Sequence, residues 1–364
     1  MKFGSDNQTG ASQKVLEMIN VANEGYTHGY GDDKWTKQAI DELKNVFEYD
    51  LEAYFVSTGT ASNSLALSCI VQSWETILCH NYAHILIDES TAPEYFSGGA
   101  RMIPISQGAE KLTTKHLEDF IELAGTELPH NPQARALSIT QASESGLVYP
   151  PTEIKALSTI SKDNGLRVHM DGARFANALA SLECTPADLT WKAGVDVLSL
   201  GATKCGALCA EAVIFFDTEL SESFIHRRKR SGHLISKGHV FGAQFVGWLR
   251  DNHWLELARH ANSQAAQLAE MISSIEGLQI VWPVQANELF ITMPEDLAKF
   301  LWEAGAEFYQ WYIEALPTNI EIGDDDVFVR LVTSFATTDE QRIEFCEIIR
   351  RYFSEQTYIK PYGV

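Results

Sequence analysis

Apolar positions along this chain fall into two rhythms. Between residues 53 and 216, short apolar runs at 54–56, 76–79, 84–87, 136–140, 167–170, 195–198 and 212–216 alternate with helical spacing at about 60–73, 113–124 and 152–164. Near-continuous apolar runs are strands buried on both faces, and the helices between them supply the crossovers of a mostly parallel sheet. Ahead of them, 12–24 and 33–47 have the spacing of amphipathic helices. The glycine- and tyrosine-rich loop Gly25-Tyr-Thr-His-Gly-Tyr-Gly-Asp-Asp33 joins those two.

The rhythm changes after residue 239. A helical stretch covers about 239–275, with Phe241, Phe245, Trp248 and Leu249 at helical intervals. Segments 278–282, 288–292, 307–312 and 327–332 then read as strands. A helix at about 339–353 follows, opened by Thr338 and Gln341 at capping-box spacing. The expectation is an α/β chain: a large domain with a mostly parallel seven-stranded sheet between helices, then a smaller α+β domain. The division is placed at 1–250 and 251–364.

Composition narrows the partners. A net charge of −21 repels nucleic acid and anionic membranes. No run of roughly 18 apolar residues occurs, so no membrane span is expected. The start, Met1-Lys-Phe-Gly-Ser-Asp-Asn7, lacks the apolar core of a signal peptide. Cys69, Cys79, Cys184, Cys205, Cys209 and Cys346 form no Cys-x-x-Cys pair and read as reduced, mostly buried thiols of a cytoplasmic protein. Against the acidic background, His226-Arg-Arg-Lys-Arg230 is a basic run whose plain reading is a solvated helix face.

Three polar groups stand at the ends of predicted strands. Ser57-Thr-Gly-Thr60 follows the first run and opens a helix. Free N–H groups and the positive end of the dipole make such a turn an anion site, although Ser and Thr are also ordinary N-caps. Asp171 ends the run 167–170, and a carboxylate at the C-terminal end of a parallel strand faces the ligand crevice. A salt bridge to Arg174 or a helix cap is the structural alternative. Lys204 follows 195–198 among the small residues Gly201, Ala202, Thr203 and Gly206, which leave room for a planar ring. An amine, a carboxylate and an anion-binding turn are the groups that hold pyridoxal phosphate. The amine bonds it, the acid partners the pyridinium nitrogen, and the turn takes the phosphate, with Thr203 as a further ligand.

Arg174, three residues after Asp171, and Arg330, inside the apolar segment 327–335, suit a substrate carboxylate. For Arg330 an ion pair with Asp324, Asp325 or Asp326 is the rival reading. His80 and His84 lie four apart, but in a segment that reads as extended, which argues against a metal. His84 suits a ring-stacking, proton-transferring role once the cofactor is granted. Neither a Gly-x-Gly-x-x-Gly fingerprint nor a P-loop is present, which disfavours a nucleotide-binding enzyme.

The set Ser5-Asp6, Tyr30-Gly-Asp-Asp33, Ser57-Thr-Gly-Thr-Ala-Ser-Asn63, Ala83-His84, His169-Met-Asp-Gly-Ala-Arg174, Leu200-Gly-Ala-Thr-Lys-Cys-Gly206 and Arg330 resembles, in order and over nearly the whole chain, the low-specificity L-threonine aldolases. The resemblance implies the fold type I architecture of pyridoxal-phosphate-dependent transferases. It implies an aldehyde-lyase that cleaves L-threonine or L-allo-threonine to glycine and acetaldehyde by retro-aldol cleavage. Lys204, Asp171 and His84 would be catalytic. Thr58, Gly59, Thr60, Arg174 and Thr203 would also contact the cofactor, and Ser5, Tyr30, Arg174 and Arg330 the substrate. Tyr30 would lie near a neighbouring subunit's site, which implies a homodimer or homotetramer. No metal is implied.

Two departures stand out. Many members carry a histidine in a Glu-Asn-Thr-His-Asn stretch that contacts the substrate hydroxyl. The equivalent region here, Ile139-Thr-Gln-Ala-Ser-Glu-Ser-Gly146, has none, which leaves the general base open. The loop Arg228-Lys-Arg-Ser-Gly-His-Leu-Ile-Ser-Lys237 is basic but differently composed, with Arg228, Arg230 and Lys237 as phosphate candidates. A phenylserine-type aldolase, a β-elimination on the same scaffold, or a catalytically silent binding protein of this fold are the alternatives.

Overall fold

The computed structural model describes residues 1–124 and 130–359. Seven strands form one sheet: β1 (Glu52–Val56), β2 (Glu75–Cys79), β3 (Arg101–Pro104), β4 (Gln133–Thr140), β5 (Arg167–Gly172), β6 (Val197–Gly201) and β7 (Glu211–Phe215). Their order is β1-β7-β6-β5-β4-β2-β3. The pairs from β6 across to β3 are parallel, and β7 runs antiparallel to both its neighbours. Successive residues feed opposite cores. Leu78, Leu137, Leu198 and Ile214 pack into one apolar cluster, and Ile77, Ala136, Val197 and Val213 into the other. The period of two explains why these strands read as continuously apolar: both faces are covered.

One expected strand is corrected. Residues 84–87 form the helical turn His84–Ile87, and β3 takes the edge place in the sheet instead. An apolar run of four does not distinguish a strand from a buried helical turn. Here the Asp88 N–H closes on the His84 carbonyl at 2.9 Å. β3 escaped notice because exposed Arg101 and Pro104 bracket it, as suits an edge.

The long helical stretch is also divided. Helix His239–Leu249 and helix His253–Ser273 are separated by Asp251 and Asn252, both left-handed (φ 55° and 57°). Asp and Asn are the non-glycine residues that tolerate that conformation best. The first of these helices lies tight against helix Lys34–Phe47. A Cβ on Gly242 would sit 2.5 Å from the Thr36 backbone nitrogen, so glycine is required there.

A second, antiparallel sheet comprises β8 (Gln279–Ile280), β9 (Glu288–Pro294), β10 (Tyr309–Gln310) and β11 (Asp326–Val332), in the order β10-β11-β9-β8. Helix Glu295–Glu303, absent from the sequence reading, and helix Asp339–Ile359 cover it. Helix His253–Ser273 spans both cores, with Trp254 and Ala258 in the first and Ala265, Leu268 and Ile272 in the second. Phe3 enters this second core and is fully buried, worth roughly 2–3 kcal/mol. The Phe3 N–H donates to the Glu307 carbonyl and the Val332 N–H to the Phe3 carbonyl, each at 2.8 Å. That clamp fixes the residues that follow, Ser5 and Asp6.

All six cysteines are free. Only Cys79, Cys205 and Cys346 are buried, with Cys69 and Cys184 half-buried and Cys209 exposed, so fewer are interior than expected. No helix among the described residues is long and apolar enough to cross a membrane.

Candidate active site

The C-terminal ends of the parallel strands share one edge, and a cleft of about 410 Å³ opens there toward the second sheet. The turn after β1 brings Thr58, Gly59 and Thr60. Asp171 lies at the end of β5 and Arg174 two residues beyond it, the loop after β6 carries Thr203 and Lys204, and β11 contributes Arg330. Ser5 and His84 complete the lining. The crevice at strand ends is where an open α/β sheet binds ligands. A close approach builds its floor: a Cβ on Gly201 would meet the Ala173 carbonyl oxygen at 2.7 Å.

Helix Gly59–Ile70 begins at the turn. Thr58 caps it, its hydroxyl accepting from the Ala61 N–H at 3.1 Å. Among the described residues, nothing beyond its chain neighbours and its own helix backbone lies within 4 Å of where a Cβ on Gly59 would project, and the buried Ser62 hydroxyl on the same turn has no partner. Ser57 is anchored from the basic loop, its hydroxyl 3.1 Å from His233 Nδ1. Arg228, Arg230 and Lys237 do not line the cleft. Arg228 is nevertheless buried, so the basic run is not wholly a solvated face.

Lys204 is lined by both charge signs. Burial, reinforced by the Arg174 guanidinium, pushes its amine below the ordinary lysine range, and Asp6 and Asp171 oppose the shift. Among the described residues no hydrogen bond or ion pair ties up the amine. A lysine with a depressed pKa and a free amine is a nucleophile in waiting.

Asp171 is neither salt-bridged to Arg174 nor exposed. Its Oδ2 accepts from Asn63 Nδ2 at 2.9 Å and its Oδ1 from the Ala173 N–H at 3.0 Å. The same Asn63 amide nitrogen donates to Glu89 Oε1 at 2.8 Å, and that oxygen also receives His84 Nδ1 at 2.8 Å. The hydrogen bond to Glu89 raises the His84 pKa above its usual value against the cost of burial. Burial also raises Glu89, whose partners His84 and Asn63 pull the other way. Asp171, Asn63, Glu89 and His84 are thus one continuous network.

The two arginines are not free forks. Arg174 gives Nε and Nη2 to Asp6, at 2.8 and 3.2 Å, and its Nη1 lies 3.3 Å from Glu288 Oε1. Burial would lower its pKa, but Asp6 and Glu288 together hold it above the ordinary value. Arg330 pairs with Glu288 at 3.5 Å and stacks over the Trp311 ring at 4.4 Å. The rival partners Asp324, Asp325 and Asp326 make no ion pair with it.

Sequence and structure comparisons fit this geometry. Residues 2–296 match the β-eliminating lyase family. A low-specificity L-threonine aldolase from a Pseudomonas species is 43% identical over 308 residues, covering 85% of this chain and 88% of that one. The chain belongs to this family of lyases. A solved Leishmania major threonine aldolase superposes with a TM-score of 0.88 at 28% identity, covering 96% of this chain and 99% of that one. A Sphingomonas wittichii serine palmitoyltransferase, at 16% identity and a TM-score of 0.71 over 99% of this chain and 88% of that one, marks the fold type I architecture alone.

Within this lyase, Tyr30 is the predicted residue that the cleft leaves out. It is exposed on the loop before helix Lys34–Phe47, with Lys229 Nζ 4.9 Å over its ring. Four acidic residues were missed as site residues: Glu89, Glu144, Glu211 and Glu288. Each is buried or nearly so, and three of them, Glu144, Glu211 and Glu288, line the cleft. Glu144 lies in the stretch that lacks a histidine, its carboxylate accepting from the Thr140 hydroxyl at 2.5 Å, and burial raises its pKa. For Glu211 and Glu288, a carboxylate at the head of an apolar run was the available signal. Glu211 and Glu288 each open a strand, and only the fold turns those strand starts toward the cleft.

Proposed function

We propose that the chain is a pyridoxal-phosphate-dependent aldolase that cleaves β-hydroxy-α-amino acids, L-threonine and L-allo-threonine among them, to glycine and an aldehyde. The convergence of Lys204, Asp171 and the Thr58–Gly59–Thr60 turn on one cleft carries the reading. The residues fit the cofactor: an untethered amine of lowered pKa, an orphaned Ser62 hydroxyl, and open space over Gly59. Bound there, pyridoxal phosphate supplies an electron sink for the pair released from the Cα–Cβ bond.

The chain's own groups divide the remaining work. Lys204 would hold the cofactor covalently. Asp171, fixed by Asn63 and the Ala173 N–H, would stabilise a positive ring nitrogen. Gly59 and Thr60, with Thr58 and Thr203, would receive the phosphate. Arg330, Arg174 and Ser5 would fix the amino acid's carboxylate and so orient the bond to be broken. His84, held through Nδ1 by Glu89, would take the β-hydroxyl proton at Nε2, directly or through a water.

Tyr30 is assigned to the site of a neighbouring subunit in a homodimer or homotetramer, a reading supported by its exposure away from this chain's own cleft. Six free cysteines support a reducing compartment, the cytoplasm. The test is incubation of the holoenzyme with L-threonine, L-allo-threonine and L-phenylserine, assaying glycine and the released aldehyde. Glycine with acetaldehyde from threonine is the expected result. Formation of 2-oxobutyrate and ammonia instead would replace the aldolase with an eliminating lyase.

A further inference from the structure

The arginine pair that would receive a substrate carboxylate already has a carboxylate of the chain beside it. Glu288 opens β9 opposite Val332, and Arg330 on β11 stands opposite Phe290. Residues 288 and 330 are therefore diagonal neighbours on one face of the sheet. The Glu288 side chain is 1% exposed, yet it lines the cleft. Its Oε1 lies 3.3 Å from Arg174 Nη1 and 3.5 Å from Arg330 Nη1. Asp6 occupies the other edge of Arg174.

Two observations make this cluster unusual. Its charges already cancel, since Arg174 and Arg330 face Asp6 and Glu288. Its hydrogen bonding does not close, since Glu288 Oε2 and Arg330 Nε are both buried without a partner among the described residues. A charge-assisted bond runs near 2.7–2.9 Å, about, so the 3.5 Å contact to Arg330 is a loose one. An arriving carboxylate would satisfy the free edge of Arg330. It would also bring a second negative charge against Glu288 in a site shielded from water, where like charges repel strongly.

We infer that Glu288 is a built-in competitor for the ligand carboxylate, and that it sets how weakly the cleft holds α-amino acids. The inference rests on the amino-acid reading of the cleft proposed above. In the empty site Glu288 neutralises the arginines. In the filled site it opposes the ligand, so the same residue limits retention of the product glycine. Removing the charge without changing the shape leaves a net positive cluster that a ligand carboxylate completes.

The experiment is calorimetric titration of the wild-type holoenzyme and of E288Q with glycine and, in parallel, with glycinamide, which has the amine but no carboxylate. E288Q is expected to bind glycine about tenfold more tightly, with glycinamide affinity unmoved. The KM for L-threonine should fall by a similar factor, the effect lying in KM rather than kcat. E288M, which removes charge and hydrogen bonding together, must shift glycine in the same direction, and it serves if E288Q does not fold. Glycine affinity no higher than wild type, or an equal gain for glycinamide, overturns the inference while leaving the aldolase reading intact. A wild-type holoenzyme that binds no glycine at all brings both down.

Discussion

Arg174 and Asp6 form a buried two-point ion pair, Nε to Oδ2 at 2.8 Å and Nη2 to Oδ1 at 3.2 Å, across 168 residues of sequence. Asp6 also accepts from Asn287 Nδ2 at 3.0 Å, so it joins the N-terminal segment, the large sheet and the small sheet at one point. Burial works against its ionisation, but Arg174 holds the carboxyl below its ordinary pKa. Asp6 is in this sense a structural pin beneath the arginines that line the cleft.

Removing the pin should therefore cost stability and binding together. D6A leaves Arg174 with Glu288 alone and is expected to lose roughly 3–5 kcal/mol of stability, the usual cost of stranding one member of a buried pair. Urea unfolding measures it. A loss below 1 kcal/mol, about the value of an exposed pair, would mean that Glu288 takes over the charge. The KM for threonine should rise in the same variant.

Glu89 governs the charge state of His84 through a 2.8 Å contact to Nδ1. A base must be neutral to accept a proton, so a raised pKa places the acid limb of the activity profile above the ordinary histidine range. E89Q should move that limb to lower pH by weakening the imidazolium. The pH dependence of kcat/KM reads it directly, and an unmoved limb would take His84 out of the proton transfer.

K204A is expected to abolish turnover and to remove the absorbance band at about 420 nm that a lysine-bound pyridoxal cofactor gives. The spectrum of purified protein with added cofactor is the measurement. If the band survives in K204A, another amine holds the cofactor.

Glu211 supplies a pH-dependent stability. Burial pushes its carboxyl up to about 7, against bonds from Thr203 and the Ala202 N–H, while the unfolded chain titrates near the ordinary 4.5. The fold thus favours the neutral acid. That contribution is complete below the unfolded value and disappears as the pH climbs through the folded one. Between pH 5 and 8, about 3 kcal/mol or less is at stake. E211Q should flatten that fall, as followed by urea unfolding of cofactor-free protein at both pH values. Parallel losses in both proteins would place an ionised Glu211 in the fold.

The local sequence determined much of this protein. The double-faced apolar runs dictated a covered parallel sheet, and the small residues around Lys204 and the Ser57–Thr60 turn marked strand ends that line the cleft. These signals are legible because they depend on neighbours a few positions apart. The tertiary structure decided the rest. Which acid neutralises which arginine could not be read locally: the nearby Asp324–Asp326 run lost to Glu288, and Arg174 went to Asp6 rather than Asp171. Residues 84–87 became a helical turn because the fold placed β3, not that run, at the sheet edge. Charge pairing and burial depend on distances through space, and those exist only once the chain has closed on itself.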